Sequence, residues 1–343
     1  MIVLTGSGDE PIDLPEFDDV VAAAGRLQGR SVITPVMRAE HFDARCDRQV
    51  FFKCENLQRV GAFKYRGATN ALLQHVETMG RAGQPDGIKE HVVATHSSGN
   101  HGAALARAAR ELGWRCIVVT PEDASPVKVA AIRAEGAELI FCSPGLAARE
   151  AALAKVIADT QARVVHPFDD VQVIAGQGTA ALELLSERSD LDVLAAPVGG
   201  GGLLSGTAIA AKQMAPRCRV IGVEPEMADD AARSFHGGIR VGLQGSPATM
   251  ADGLRGSIGV RPFALFQKWV DDVVTVSETA IVQAMRVALE DLKLLIEPSS
   301  AVVLAALLDG QIGRSGDRIG VIVSGGNVDL SVCPFLARGG AVR

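Results

Sequence analysis

A chain of 343 residues that is 48% hydrophobic and 22% charged has the composition of a soluble globular protein, long enough for two domains or one large one. Its net charge of −6 is spread without a basic block, which excludes nucleic acid as the expected partner. Six scattered cysteines (Cys46, Cys54, Cys116, Cys142, Cys218, Cys333), with no C-x-x-C pair among them, exclude a disulfide framework and a zinc site and suit reduced thiols of the cytoplasm.

The opening MIVLTGSGDEPIDLPEF is acidic and broken by Gly and Pro, unlike a signal peptide. ITPVM (33–37) predicts an extended segment and QVFFKCENL (49–57) a strand. From Lys64 onward GATNALLQHVETMG (67–80) has helical periodicity, with Ala68, Leu72, His75 and Val76 sharing a face. RAGQPDGIKE (81–90) is a linker and a candidate crossover point. A regular alternation follows. HVVATHSS (91–98), RCIVVTP (115–121), AELIFC (137–142) and RVVHPF (163–168) are strand-like, separated by the helical GNHGAALARAARELG (99–113), SPVKVAAIRAEG (125–136) and LAAREAALAKVIADT (146–160). Next come a helix in AGQGTAALELLSE (175–187), a strand in LDVLAAPV (191–198), a helix in GLLSGTAIAAKQM (202–214) and a strand in RVIGVEP (219–225). Two helices, ETAIVQAMRVALEDL (278–292) and SSAVVLAALLDG (299–310), precede a last strand in DRIGVIVSGGN (317–327). Short apolar runs alternating with helices imply βαβ units, hence an α/β fold of two lobes with ligand loops at the carboxyl ends of parallel strands. Residues 193–211 carry no charge over 19 positions, about a membrane span, but Pro197 and four glycines there make a loop rather than a lipid-facing helix.

Four loops carry chemistry. In AAPVGGGGLLSG (195–206), Gly199 to Gly202 expose successive backbone N–H groups at the start of a helix, an anion cradle suited to phosphate. Gly200-x-Gly202-x-x-Ser205, with Glu224 about 20 residues on, also approximates a dinucleotide fingerprint, and on this loop alone both readings stand. THSSGNHG (95–102) crowds Ser97, Ser98, Asn100 and His101 around two glycines at a helix start, which suits a carboxylate; an ordinary N-cap is the alternative. SGGNVDL (324–330) alone reads as a strand-ending turn. VGAFKYRGA (60–68) sets Lys64 behind an aromatic residue, between glycines, where a surface lysine needs no such setting.

In chain order, AFKYRGA (62–68), HSSGNHG (96–102), IAGQGTAALEL (174–184), PVGGGGLLSG (197–206), KLLIEPSSAV (293–302) and VSGGN (323–327) resemble the motifs of the fold-type II pyridoxal-phosphate enzymes, in the branch of threonine dehydratase and serine racemase. The resemblance spans residues 33 to about 330 and removes the dinucleotide alternative, which has no use for the AFKYRGA lysine. It implies a tryptophan synthase β-like α/β fold: two lobes with mostly parallel twisted sheets. Residues 1–88 and 170–343 would form a large cofactor-binding domain and 89–169 a small inserted substrate domain.

By the same resemblance Lys64 forms the Schiff base with pyridoxal phosphate and serves as catalytic base, as such chemistry requires of an amine near the cofactor aldehyde. Phe63 would pack beside the cofactor, and Gly199, Gly200, Gly201, Gly202 and Leu203 would hold its phosphate. Asn100 is expected at the ring hydroxyl, Ser324 at the pyridine nitrogen and Glu297 close to the ring. A neutral hydroxyl at the nitrogen suits β-elimination better than transamination. Ser97, Ser98, Asn100 and His101 would bind the substrate carboxylate. Ser98 occupies the position of the racemase acid/base opposite the lysine, and His101 has a purely structural alternative. Arg149 stands where it can receive a second carboxylate, or is a solvated helix residue. In VEPEMADD (223–230), Glu224, the Ala228 carbonyl and Asp230 match a divalent-cation site of the racemase-like members, and the all-oxygen set suits Mg²⁺, Mn²⁺ or Ca²⁺; an acidic surface turn is the alternative.

The implied activity is that of a cytoplasmic, homodimeric ammonia-lyase with no membrane or nucleic-acid partner. It dehydrates and deaminates a small β-hydroxy amino acid, L-threonine or L-serine. Serine racemase and 3-hydroxyaspartate dehydratase are alternatives, and a non-catalytic cofactor-binding regulatory relative is one of a different class. Ala103 replaces a glutamine, and Arg59-Val60 a Lys-Thr pair, often found in racemase-like sequences, so nucleotide activation is not expected. With Arg343 shortly after the last motif, no C-terminal regulatory domain is expected.

Overall fold

Apolar runs too short for helices and bounded by glycines become the strands of two sheets. The computed structural model describes residues 12–81, 91–97, 99–333 and 335. The chain begins with α1 (Phe17–Leu27), β1 (Val36–Met37), α2 (Glu40–Cys46), β2 (Gln49–Cys54) and α3 (Lys64–Arg81). It continues through β3 (Val92–His96), α4 (Asn100–Glu111), β4 (Arg115–Pro121), α5 (Pro126–Ala134), β5 (Glu138–Cys142), α6 (Leu146–Thr160) and β6 (Arg163–Val164). The remainder comprises α7 (Val171–Glu187), β7 (Val193–Pro197), α8 (Gly202–Met214), β8 (Arg219–Pro225), α9 (Asp230–Gly237), α10 (Val260–Trp269), β9 (Asp272–Val276), α11 (Glu278–Val287), α12 (Pro298–Leu308) and β10 (Arg318–Val323).

One sheet has six strands in the order β1-β2-β10-β7-β8-β9, the other four in the order β5-β4-β3-β6. Every pairing is parallel except β1 with β2. The smaller sheet's strands all fall within 92–164, the larger sheet's within 36–54 and 193–323. Register aligns the carboxyl ends: Val323 faces Cys54, Pro197 faces Val223, and His96 faces Val119. The loops after β2, β10, β7 and β8 therefore leave one edge of the large sheet, where ligands of such folds bind.

β7 and β10 are buried almost throughout, as parallel strands covered on both faces must be. Phe42 of α2 packs edge-on against Phe52, ring centroids 5.1 Å apart, in the core beneath the larger sheet. Three helices on the other face touch through glycines: a Cβ on Gly176 of α7 would stand 2.6 Å from Gly67 Cα of α3, and one on Gly178 2.8 Å from the Gly206 carbonyl oxygen of α8. Side chains there would force the helices apart.

Beneath the start of α3 lies a buried ionic network. Arg66, 0% exposed, donates from Nε and Nη2 to the equally buried Glu55 at 2.7 and 2.8 Å, and from Nη1 and Nη2 to Glu183 at 2.6 and 2.9 Å. Lys53 reaches Glu183 at 2.5 Å, and Thr34 donates to Glu55 at 2.5 Å. Burial alone would raise the Glu55 carboxyl; the Arg66 guanidinium beside it outweighs that and holds it below its ordinary value.

Several elements differ from the sequence reading. Helices α1, α2, α9 and α10 and the edge strand β9 were not anticipated; α1 buries Val20, Ala23 and Leu27 although its surroundings are polar. α7 begins at Val171 rather than 175, because the Asp170 carboxylate accepts the N–H groups of Gln172 and Val173 at 2.8 and 2.9 Å. The 163–168 strand shrinks to Arg163–Val164: Pro167 cannot donate to a ladder, and the rest is a loop. On α3 the buried face runs through Tyr65, Ala68 and Leu72, while Val76 is exposed. The 81–90 linker, Arg81 apart, lies outside the described residues. Residues 193–211 form β7, the glycine loop and most of α8, and among the described residues no helix is long and apolar enough to cross a membrane. All six cysteines are free.

Arg66→Met takes the guanidinium from the buried Glu55 carboxylate, while Glu183 keeps Lys53, and breaking a buried pair from one side costs roughly 3–5 kcal/mol. We expect a loss of that order in urea unfolding at pH 7. The native Glu55 carboxyl lies below its unfolded value, so its contribution is present above the unfolded value and fades as pH falls. The penalty of the variant therefore shrinks toward acid, and a pH-independent penalty would contradict this account.

Candidate active site

The lysine loop is shaped before α3 begins. Arg59–Gly61 makes one 3₁₀ turn with Val60 and Gly61 at φ of 56° and 70°. A side chain at Gly61 would collide with the Asn327 amide, and Asn327 Nδ2 donates to the Val60 carbonyl at 2.7 Å. The Phe63 N–H donates to the Ser324 carbonyl at 3.0 Å and the Gly326 N–H to that of Gly61 at 2.9 Å. The loop after β2 is thus stitched to the turn after β10, which the sequence alone left as a mere strand end. Lys64 opens α3; its Nζ donates to the Pro167 carbonyl at 2.7 Å and lies 5.0 Å from the Phe63 ring centroid. Burial lowers the Lys64 amine to about 8, with Glu297 pulling the other way.

Ser324 and Glu297 join the same frame. Ser324 Oγ lies 2.9 Å from Ser300 Oγ. The single hydroxyl proton of Ser300 goes to the Gly325 carbonyl at 2.7 Å, so Ser324 is the donor between the two. The Glu297 N–H donates to the Gly325 carbonyl at 3.0 Å, while its buried carboxylate accepts from Asn100 Nδ2 at 2.7 Å and from Lys128 Nζ at 3.5 Å. Lys128 also meets Asp252 at 2.7 Å, and Asn100 accepts from Asn327 at 2.9 Å. Burial raises the Glu297 carboxyl and Lys128 opposes that rise. Asn100 and Lys128 come from the helices of the small sheet, so this cluster bridges the two lobes.

The glycine loop runs from β7 into α8. Gly201 is left-handed at φ 88° and caps the helix, and no N–H from Gly199 to Leu203 finds an acceptor among the described residues. The Cα faces of these glycines are closely covered. A Cβ on Gly200 would collide with the Phe168 ring, one on Gly199 would stand 2.9 Å from Leu254 Cα, and one on Gly201 2.7 Å from Pro262 Cβ. The four glycine N–H groups can therefore serve an anion on one side only because nothing but hydrogen fits on the other, and the Leu203 N–H follows them.

The remaining residues divide. Ser97 Oγ accepts the N–H groups of Gly99 and Gly102 at 3.2 and 3.0 Å, so it caps α4 from below. Ser98 lies outside the described residues. His101 is buried; its Nε2 donates to the Val165 carbonyl at 3.1 Å, leaving Nδ1 without a partner. Burial, followed by the nearby Lys64, holds its ring well below the usual histidine range. Arg149, near the start of α6, sets its Nε 3.4 Å from the Gly145 carbonyl and adds positive charge beside His96 and Cys142.

Glu224, Ala228 and Asp230 stand apart from Lys64 and are all buried. One oxygen of each carboxylate is anchored: Glu224 Oε2 accepts from the Ala232 N–H at 2.9 Å and Asp230 Oδ2 from the Ile258 N–H at 2.8 Å. The other oxygens, Glu224 Oε1 and Asp230 Oδ1, have no partner among the described residues. Burial and mutual repulsion push Glu224 well up, and burial pushes Asp230 up to about 6. Orphaned buried carboxylate oxygens are donors of the kind that a hard divalent cation takes. Among the described residues no group of three or more His, Cys, Asp or Glu side chains is placed to hold a metal.

Sequence reasoning passed over Lys128, Asp252, Phe168, His96, His166 and Asn327. Pro167 inside an apparent strand was a usable signal for the 165–170 loop; Lys128 and Asp252 gave none, because only the approach of two lobes pairs them.

The family described as "Pyridoxal-phosphate dependent enzyme" matches residues 29–325. The chain is 42% identical to a β-hydroxyaspartate dehydratase of Paracoccus denitrificans, over 94% of this chain and 99% of that one. It is also 42% identical to a serine racemase of Dictyostelium discoideum, over 94% and 98% of the two chains. The solved structure of maize serine racemase superimposes with a TM-score of 0.86 at 38% identity, covering 93% of this chain and 95% of that one.

In the cofactor-free protein, acylation of Lys64 followed by peptide mass spectrometry should rise with a midpoint near pH 8, against 10.5 for an ordinary lysine. Glu297→Gln removes a negative charge that favours the ammonium and should move the midpoint further down. A midpoint near 10.5 would mean that the amine is solvated.

Proposed function

The chain belongs to the pyridoxal-phosphate-dependent enzymes, in the threonine dehydratase and serine racemase family, and on that footing we propose that it is an ammonia-lyase for a small β-hydroxy amino acid, converting it to a 2-oxo acid and ammonia. The observation that carries the reading is the convergence of a buried amine with lowered proton affinity, Lys64, and a glycine cradle of unpartnered N–H groups on either side of the Pro167–Phe168 segment.

The residues present fit pyridoxal phosphate. Lys64 would hold its aldehyde carbon, Gly199 to Leu203 its phosphate, Ser324 its ring nitrogen and Asn100 its ring hydroxyl, with Phe63 and Glu297 beside the ring. When bound, the cofactor supplies an electron sink for the substrate Cα. Lys64 Nζ, whose proton affinity burial lowers to about 8, can surrender its proton and accept the one leaving Cα. Ser324 offers a neutral hydroxyl, whose proton would turn from Ser300 to the ring nitrogen, rather than a fixed charge, which suits elimination of a β-hydroxyl over transamination. Asn100, held between Glu297 and Asn327, keeps one orientation, and the helix start at 97–101 provides for the substrate carboxylate. Loss of the hydroxyl as water and hydrolysis of the enamine so formed complete the balance.

L-serine and L-threonine remain the first substrates proposed. Arg149 beside the cleft, and the relatives' names, support 3-hydroxyaspartate as the specialised alternative. Serine racemisation is the second reading, resting on relatives so named. We further propose lobes at 1–88 with 170–343 and at 89–169, a homodimer, and a divalent cation on Glu224, the Ala228 carbonyl and Asp230. Asp230 holds the Ile258 N–H, and the next residue, Gly259, donates its N–H to the Gly200 carbonyl at 3.1 Å. A cation there would brace the glycine loop without meeting the substrate.

Release of 2-oxo acid by cofactor-loaded protein from L-serine, L-threonine, D-serine and the 3-hydroxyaspartate stereoisomers tests the proposal. Turnover of at least one, abolished in Lys64→Ala, is expected; interconversion of L- and D-serine without 2-oxo acid would assign racemisation instead. For the cation, Mg²⁺ at a hundred times its dissociation constant should stabilise the chelator-treated protein by about 2.7 kcal/mol. Glu224→Ala should erase that gain, and an unchanged response in the variant would place the cation elsewhere.

A further inference from the structure

Ser300 touches the site but has no part in the reaction above. It stands buried in the first turn of α12, with its N–H on the Glu297 carbonyl at 2.9 Å. Its hydroxyl oxygen accepts the Gly325 N–H at 2.7 Å, and lies 2.7 Å from the Gly325 carbonyl oxygen and 2.9 Å from Ser324 Oγ. Ser324 is buried too, its carbonyl pinned by the Phe63 N–H at 3.0 Å. Among the described residues Ser300 is the one partner of the Ser324 hydroxyl.

A hydroxyl has one proton and two lone pairs, so this triangle has two hydrogen-bond patterns. In one, Ser300 donates to the Gly325 carbonyl and Ser324 donates to Ser300, which leaves the lone pairs of Ser324 facing the site. In the other, Ser300 donates to Ser324, and the Ser324 proton is free to point into the site. The second pattern strands no acceptor, because the Gly325 carbonyl keeps the Glu297 N–H at 3.0 Å. It also runs in one direction, from the Gly325 N–H through Ser300 to Ser324, and aligned hydrogen bonds polarise one another. Among the described residues no charged side chain bonds to either hydroxyl, and the neighbouring Glu297 carboxylate is engaged by Asn100 and Lys128. The pair therefore delivers a proton donor of fixed direction and no net charge.

We propose that Ser300 is a positioning residue: it turns its hydroxyl onto Ser324 when pyridoxal phosphate binds, commits the Ser324 proton to the ring nitrogen and so keeps that nitrogen unprotonated. The assignment deepens the reading of the site as a β-hydroxy amino acid lyase and rests on the ring nitrogen lying at Ser324. Its balance needs no outside reagent. Two O–H groups rotate, the bond between the serines reverses, and a bond from Ser324 to the ring nitrogen replaces the one from Ser300 to the Gly325 carbonyl. No proton leaves its oxygen. An unprotonated ring is the weaker electron sink, which favours loss of a β-hydroxyl over transamination.

Nitrogen-15 NMR of protein loaded with cofactor labelled at the ring nitrogen reads the state of that atom at pH 7, and a fluorescence titration gives the cofactor's apparent dissociation constant. We expect the wild-type signal at the position of an unprotonated, hydrogen-bonded pyridine. Ser300→Ala should move it toward that of a pyridine receiving no hydrogen bond, and weaken cofactor binding about fivefold, the worth of one neutral hydrogen bond. Ser300→Thr, which keeps the hydroxyl, should retain both wild-type readings. In a Ser324→Ala background, Ser300→Ala should add nothing to either, whereas mere loosening of the turn would act with or without Ser324. If the alanine variant does not fold, Ser300→Cys, a weaker donor of similar shape, carries the comparison. A protonated ring nitrogen in the wild type, an unchanged signal in Ser300→Ala, or an equal change with and without Ser324 overturns the proposal. An unchanged signal in Ser324→Ala puts the ring nitrogen elsewhere and overturns the cofactor placement with it. The expected signals in a protein that releases 2-oxo acid from no β-hydroxy amino acid would sink the lyase reading and leave the role of Ser300 standing.

Discussion

Glu297 is the point at which the two lobes are tied. Its backbone N–H holds the Gly325 carbonyl of the turn after β10, and its carboxylate accepts from Asn100 and Lys128, which arrive from the helices on the small sheet. A carboxylate buried this deeply is costly unless its charge is matched, and Lys128, itself shared with Asp252, provides the match across the cleft. Any separation of the lobes leaves charges uncompensated, so the gap in which Lys64 lies has a defined width. The same carboxylate reaches the Lys64 amine electrostatically, and the tie between lobes thus also sets the chemistry between them.

Rigidity behind the site has a different source. Arg66, two residues beyond Lys64, clamps Glu55 after β2 and Glu183 on α7, while glycine contacts press α3 onto α7 and α7 onto α8. The lysine and the phosphate-suited loop accordingly stand on one block of three helices. Phe168 completes the block, filling the space that a side chain at Gly200 would need. Catalytic groups on such a base are positioned without reorganisation, which is where much of an enzyme's advantage lies.

Several buried polar atoms have no partner among the described residues, among them the free carboxylate oxygens of Glu224 and Asp230 and the Nδ1 atoms of His96 and His101. Buried polar atoms are paired nearly everywhere in folded proteins, so exceptions of this kind point to ligands rather than to poor packing.

The alternation of apolar runs and helices, the glycine turns and the order of six motifs were enough to determine the α/β class and the family, because these properties reside in local pattern. α8 and the strands β4 and β8 match their sequence ranges residue for residue, since each is bounded by its own turn or cap. Amphipathic helices in polar surroundings, such as α1, and the short edge strand β9 were missed: their stability comes from the face they are packed against, which no local pattern records. The Lys128–Glu297–Asp252 tie, the double use of the glycine faces and the gathering of His96, His166 and Arg149 were likewise decided only by the tertiary structure. The residues so joined lie from about 17 to 170 positions apart along the chain. Whether such residues satisfy or strain one another depends on burial and approach, quantities that exist only once the lobes have come together.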